Sequence, residues 1–311
     1  MNKKNFEAFR IPPDAAAPVQ IEENAEAETI ESDNIKDKLH IMFAHNKVAL
    51  VSAIIILLYL IMAVFAPLIA PYDPTLIDLS VRLRDPIPGH IFGTDEFGRD
   101  IWSRMIYGSR VSLAVGLLPT TISMVIGTVL GLIAGFMGGK IDALIMRIAD
   151  VLMAFPSLLF AFMISYTVGN GMLPIFLALS IIGWAGTARI VRSQTLSLRE
   201  KEYVEAAISM GVKRRTIIFR HILPNCLPTL IVLFTMNVPG NILSESSLSF
   251  LGVGAQPPST SWGLMISRNK QYLSQTPVAT LCPGVMILIL VLAFNFLGDA
   301  LRDVLDPYMK E

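Results

Sequence analysis

Residues 48–70 read VALVSAIIILLYLIMAVFAPLIA, twenty-three in a row without a charged side chain. As a helix this stretch extends about 35 Å, enough to cross a hydrocarbon core of about 30 Å. It is too long, and too far from Met1, to be a signal peptide, so it is expected to stay in the chain as a membrane span ending at Pro67 and Pro71. The composition agrees. The chain has 311 residues, of which 53% are hydrophobic and 16% charged, and its mean hydropathy is +0.58. A soluble domain carries about a quarter charged residues. The formal net charge of zero gives no electrostatic basis for binding nucleic acid.

Working outward, five more apolar stretches follow, at 111–136, 143–168, 172–191, 225–250 and 277–298, with charges gathered at their ends. The expectation is an all-α membrane protein with six transmembrane helices. Residues 71–110 and 251–276 are the long segments on one side, and 192–224 is a long basic loop on the other. Upstream, residues 1–34 hold Pro12, Pro13, Pro18 and an acidic run from Glu22 to Asp33. Such a tail cannot bury enough apolar surface to fold. In 35–47, Ile35, Leu39, Met42 and Phe43 share one helical face, which predicts a short amphipathic helix on the membrane surface; a plain extension of the first span fits the pattern nearly as well. Residues 299–311 form a C-terminal tail. The second span carries Gly127, Gly131 and Gly135 at intervals of four, a spacing that lets helix backbones approach closely in lipid. Cys226 and Cys282 fall near opposite faces of the bilayer, too far apart for a disulfide.

With the N-terminus inside, segments 35–47, 140–147, 189–220 and 302–310 hold fifteen Lys and Arg, against seven in the outer segments. The excess of positive charge inside puts both termini in the cytoplasm.

Nothing in the chain reads as catalytic. It lacks HExxH and GxSxG motifs, and Gly135–Ile141 departs from a nucleotide-binding loop in spacing and in its last residue. The spans lack the chains of buried carboxylates and histidines expected of a proton-driven carrier, leaving Glu245 as the one carboxylate deep in a span. The informative segment is the basic loop. Tyr203, Ala206, Ala207 and Met210 recur at helical spacing around Glu205, giving a shallow-faced amphipathic helix with two alanines at its centre. Gly211 is placed to end it in the left-handed conformation, a second short basic helix follows, and Pro224 opens the next span. Such a two-helix knob is shaped to dock into another protein.

These residues carry a resemblance. Glu205-Ala206-Ala207, Gly211 and Ile222-Leu223-Pro224 resemble the cytoplasmic loop of ABC-importer permeases, with His221 standing where isoleucine is more usual. Phe92 to Asp100, followed by Tyr107 to Leu113, is similar to the first external loop of the oligopeptide and dipeptide C-type permeases. Its motif residues are Gly93, Thr94, Asp95, Gly98, Arg99 and Asp100. Glu245 to Gly254, with Pro257, Pro258, Trp262 and Gly263, is similar to the segment after the fifth span of the same subunits. The resemblance covers about residues 40–308. It implies a type I importer permease in a prokaryotic plasma membrane, with 192–224 as its coupling loop. The implied partners are a second homologous permease, two ATPase subunits that bind the ATP and Mg, and an external binding protein, with no cofactor on this chain. The implied cargo is a short peptide. A nickel complex or another small solute is the alternative within the family, and an ATP-independent secondary transporter the alternative outside it. Met236, Asn237, Asn241 and Glu245 are the candidate pathway residues. Glu245 reads equally well as a helix-end residue reaching the outer interface, and the 93–100 motif as a solvated turn.

The topology is testable with single cysteines at Ser80, Ser209 and Ser274 in a background lacking Cys226 and Cys282. An impermeant thiol reagent applied to intact cells is expected to label the first and third. Labelling of position 209 alone overturns the orientation.

Overall fold

The computed structural model describes residue 39 and residues 42–305. The expected tail 1–34, much of the segment before residue 42, and the chain beyond residue 305 lie outside the described residues.

Helix α1 (Lys47–Val64) starts at Asn46, whose side chain accepts the Ala49 N–H at 3.0 Å. Its buried residues, Ala49, Ser52, Ile56 and Tyr59, fall at intervals of three and four, so only one stripe touches protein. A helical turn at 42–45 precedes it, and Leu39, Met42 and Phe43 pack against Ala300, Leu301 and Leu305. Asn46 breaks the helix there, so this segment is not a simple extension of the span. Among the described residues its apolar side chains rest on the bundle.

The chain resumes in α2 (Ala66–Ile69) and runs through a looped segment into α3 (Ile101–Met137). The start at Ile101 lies ten residues before the expected boundary. Ser103, Arg104 and Ser109 lower the hydropathy of that first stretch, yet all three are buried beside Ile101, Met105 and Ile106. The expected span 143–168 is not straight. It is α4 (Gly139–Ala154) and α5 (Ser157–Val168), bent by 90° at Phe155 and Pro156. Pro156 cannot donate a helical hydrogen bond and forces Phe155 into extended backbone. Among the described residues five helices are long and apolar enough to span a membrane, six if the bent pair counts as one. Helix α6 (Met172–Arg199) continues past residue 191, which shortens the basic loop by eight residues. Then come α7 (Glu202–Ser209) and α8 (Arg214–Ile217). A π-helical turn at Ile218–Ile222 joins α8 to α9 (Leu223–Phe250), so Pro224 sits in the first turn of the next span as expected, but with no break before it. Pro228 and Pro239 are also carried within α9. Helices α10 (Trp262–Asn269) and α11 (Val278–Leu305) complete the chain. Among the described residues, extended pairing is limited to two isolated bridges.

The most extensive helix contact is between α3 and α6, along the glycine stripe. A Cβ on Gly127 would stand 2.7 Å from the Trp184 carbonyl oxygen, one on Gly131 2.6 Å from that of Ala188, and one on Gly135 2.9 Å from that of Arg192. At all three levels the obstacle includes backbone, which no rotamer change can move. Helix α4 is tied to the same α6 by two ion pairs, Asp150 to Arg189 at 2.6 Å and a two-pronged contact between Asp142 and Arg192. The core beneath Trp262 joins α1, α3, α9, α10 and α11.

Gly131→Val is therefore expected to destabilise the detergent-purified protein by about 1–3 kcal/mol through overpacking. Gly186→Ala, whose Cβ would meet nothing within 4 Å, is expected to leave the thermal midpoint unchanged. Equal midpoints for the two variants would contradict the close approach.

Candidate coupling and pathway sites

Helix α7 stands at one end of the bundle. Glu202 and Glu205 lie in its first turn, where acidic side chains complement the positive end of the helix dipole. It ends as expected: Gly211 has φ +75, and the Val212 N–H returns to the Ala207 carbonyl at 3.1 Å. The two faces are divided differently from the sequence reading. Val204 and Ala207 point inward, Ala207 at 5% exposure, and pack with Leu132, Phe136, Val191 and Ile222. Ala207 is thus a floor residue rather than half of the outer surface. It shares the inner face with Val204, three residues away. The outer surface is Glu205 and Ala206, flanked by Tyr203 at 46%, Ile208 at 44% and Met210 at 76% exposure. Large apolar side chains exposed around a small residue, on a short helix outside the spans, are the make-up of a protein-binding surface.

The α8–π–α9 unit runs without a helical break from Arg214 at that knob to Phe250 at the opposite end. Along it Met236 and Asn237 are exposed. Asn241 is half-buried and donates to the Thr120 hydroxyl of α3 at 2.7 Å. Glu245 is fully buried: its Oε1 accepts the Ser249 hydroxyl at 2.6 Å, and Oε2 has no partner among the described residues. So Glu245 does not reach an outer interface, and the structure does not place all four candidates on one open surface. From Met236 to the end of α9 the exposed residues are Met236, Asn237, Gly240, Leu243, Ser247 and Phe250.

The 93–100 motif is a folded element and not a solvated turn. Thr94, Asp95 and Asp100 are buried. Asp95 accepts the N–H groups of Phe97 at 2.9 Å and Arg99 at 3.0 Å, pairs with Arg99 Nε at 2.8 Å, and faces Arg104 Nε at 3.3 Å. Removing one partner from such a buried pair costs about 3–5 kcal/mol. Asp100 caps α3 through the Ser103 N–H at 2.7 Å and also meets His90 Nδ1 at 2.9 Å. Thr94 donates to the Val81 carbonyl. Gly98 has φ +71, and a Cβ there would lie 1.7 Å from the Asp78 carbonyl oxygen. The Ser80 hydroxyl and N–H hold the Asp78 carboxyl below its ordinary range.

Over the same end of α9 sits α10. Trp262 is fully buried, donates its indole N–H to the Met105 carbonyl at 2.9 Å, and meets the edge of Tyr59 with ring centroids 5.7 Å apart. Its role was not read from the sequence. A lone tryptophan in a polar segment is the available signal, and it does not say which helices the ring fills between.

A family profile described as the inner membrane component of binding-protein-dependent transport systems matches residues 127–311, and one described as the N-terminal TM domain of oligopeptide transport permease C matches residues 40–86. The dipeptide transport system permease protein DppC of Alkalihalophilus pseudofirmus is 45% identical, over 85% of this chain and 87% of its own. The oligopeptide transport system permease protein OppC of Haemophilus influenzae is 41% identical over 93% of each. The glutathione transport system permease protein GsiD of Pectobacterium atrosepticum is 42% identical over 86% and 89%. The fold is similar to a chain of the MetNI methionine ABC transporter solved in inward-facing conformations. The TM-score is 0.55 at 20% identity, covering 66% of this chain and 97% of that one. With five long apolar helices among the described residues, six if the bent pair counts as one span, a two-helix knob and these matches, the chain belongs to the family of inner-membrane components of binding-protein-dependent transport systems.

Proposed function

We propose that this permease forms one half of the pathway of an ATP-driven importer for short peptides in a prokaryotic plasma membrane. Its termini and the α7 knob would lie in the cytoplasm. The observation that carries the reading is the knob itself: Tyr203, Ala206 and Met210 presented outward on a helix whose other face is locked into the bundle through Val204 and Ala207. The relatives named for dipeptide, oligopeptide and glutathione transport support a peptide cargo. The partners are an extracytoplasmic binding protein, a second homologous permease, and two ATPase subunits that hold ATP and Mg. This chain would carry no cofactor. The second permease would cover the exposed face of α9 from Met236 to Ser247. It would also cover an apolar groove of about 620 Å³ between α3 and α9, lined by Met124, Leu132, Phe219 and Phe234 among others.

In this mechanism the chain's work is mechanical. Closure of the ATPase dimer displaces α7, and the α8–α9 rod carries the displacement across the membrane as a rigid-body motion. Glu205 would pair with a basic residue of the ATPase.

Co-purification tests the reading. ATPase subunits are expected to copurify with the wild-type chain and to be lost, with the permease still folded, in Ala206→Trp and in Glu205→Lys. Gly211→Val costs about 1–3 kcal/mol in backbone strain and is expected to weaken association with little loss of the spans. Ala207→Trp overpacks the floor beneath the knob and is expected to lower the thermal midpoint as well. Full ATPase recovery and wild-type transport in Ala206→Trp and Glu205→Lys would refute the docking role.

A further inference from the structure

Residues 251–269 lie over the end of α9 opposite the knob, and their contacts are of an unusual kind. A Cβ on Gly254 would stand 1.9 Å from Ser249 Oγ and 2.4 Å from its Cα; one on Gly263 would stand 2.6 Å from the Cα of Ser246. The segment therefore rests backbone-to-backbone on one face of α9. The Val253 and Gly254 N–H groups reach the Leu248 carbonyl at 3.0 and 3.2 Å, the Ser267 hydroxyl donates to the Phe250 carbonyl at 3.0 Å, and a buried chain of two hydrogen bonds adds to these. The Ala255 N–H donates to Ser249 Oγ at 3.0 Å, and the Ser249 hydroxyl donates in turn to Glu245 Oε1 at 2.6 Å. Ala255, Ser249 and Glu245 are all buried. On its other side the segment is anchored to α3 through Trp262, by the indole bond to Met105 and the backbone N–H to Ser112 Oγ at 3.3 Å.

We propose that residues 251–269 are the extracytoplasmic gate of the pathway, and that Glu245 is the positioning residue that latches this gate onto α9. The inference rests on the reading of the chain as a pathway subunit and assigns that pathway its outer closure. The latch sits on the helix that continues unbroken from α8, so a displacement of α7 reaches Glu245 across one turn, residues 210–213, which the Val212 N–H to Ala207 carbonyl bond holds. Its chemistry suits a contact that is made and released. One oxygen is spent on Ser249, while Oε2 is buried without a hydrogen-bond partner among the described residues. An unfilled buried acceptor is costly, so the closed arrangement stops short of full satisfaction and opening lets Oε2 reach water or cargo. The hinge is Gly252 at φ +90, where a Cβ would meet nothing within 4 Å. It supplies a left-handed turn with free space around it.

The test reads the gate separately from transport. Thr260, within the segment, is buried, so a Thr260→Cys probe in a chain lacking Cys226 and Cys282 is expected to resist an impermeant thiol reagent in the assembled complex. Adding Glu245→Ala is expected to raise its labelling rate at least tenfold and to release ATP hydrolysis from its dependence on loaded binding protein. Glu245→Gln keeps an acceptor for the Ser249 hydroxyl and is expected to restore most of the protection, which loss of folding would not allow. If Glu245→Ala fails to assemble, Ser249→Ala cuts the same chain of bonds and is expected to expose the probe likewise. An unchanged labelling rate and tightly coupled hydrolysis in whichever of these variants assembles overturn the latch. Loss of ATPase co-purification from the wild-type chain would instead count against the importer reading itself.

Discussion

The contact on which the rest of this structure depends is the approach of α3 to α6 at Gly127, Gly131 and Gly135. In lipid there is no hydrophobic effect to press helices together, so packing distance decides association, and glycine gives the shortest distance. That seam sets α6, and α6 in turn holds α4 through the Asp150–Arg189 and Asp142–Arg192 pairs. At its far end α6 delivers the chain into α7, whose Val204 and Ala207 are seated against Leu132 and Phe136 of α3. A knob floored by the most extensively packed helix pair in the bundle is suited to the proposed task of passing a push on to the spans.

The second element of the account is the length of the α8–α9 rod. The short helix α8 beside the knob, the exposed face from Met236 to Ser247, and the buried Glu245 share one continuous helical path. The π turn at Ile218–Ile222 inserts a residue where the rod leaves the knob, a local irregularity often found at functional joints. The two ends differ in chemistry as the proposed roles require. At one end apolar side chains face outward, as docking to a protein would need. At the other, serine, glycine and a buried carboxylate allow backbone to lie on backbone.

Much of this was legible in the sequence because it rests on local rules. Uncharged runs marked the spans, the four-residue glycine spacing marked a close seam, and Gly211 marked the end of the knob helix, where φ is indeed +75. The misreadings have physical causes. Helix α3 begins at Ile101 because Ser103, Arg104 and Ser109 are satisfied by burial against protein, which a hydropathy window counts as exposure to water. The span at 143–168 bends because Pro156 breaks it, although its neighbours are apolar enough to hide the break. Ala207 faces inward because faces 100° apart on an eight-residue helix are separated only by what lies beneath them, in this case residues seventy positions upstream in α3. Glu245 and Trp262 belong to contacts between distant segments, and no local pattern reports such partners.

The central claim is that this chain moves cargo by transmitting ATPase motion, and uptake of a labelled dipeptide into proteoliposomes holding the complete complex tests it most directly. The account predicts accumulation that requires both ATP on the knob side and binding protein on the other, and that survives collapse of ion gradients by ionophores. Uptake that proceeds without ATP, or that ionophores abolish, would contradict it.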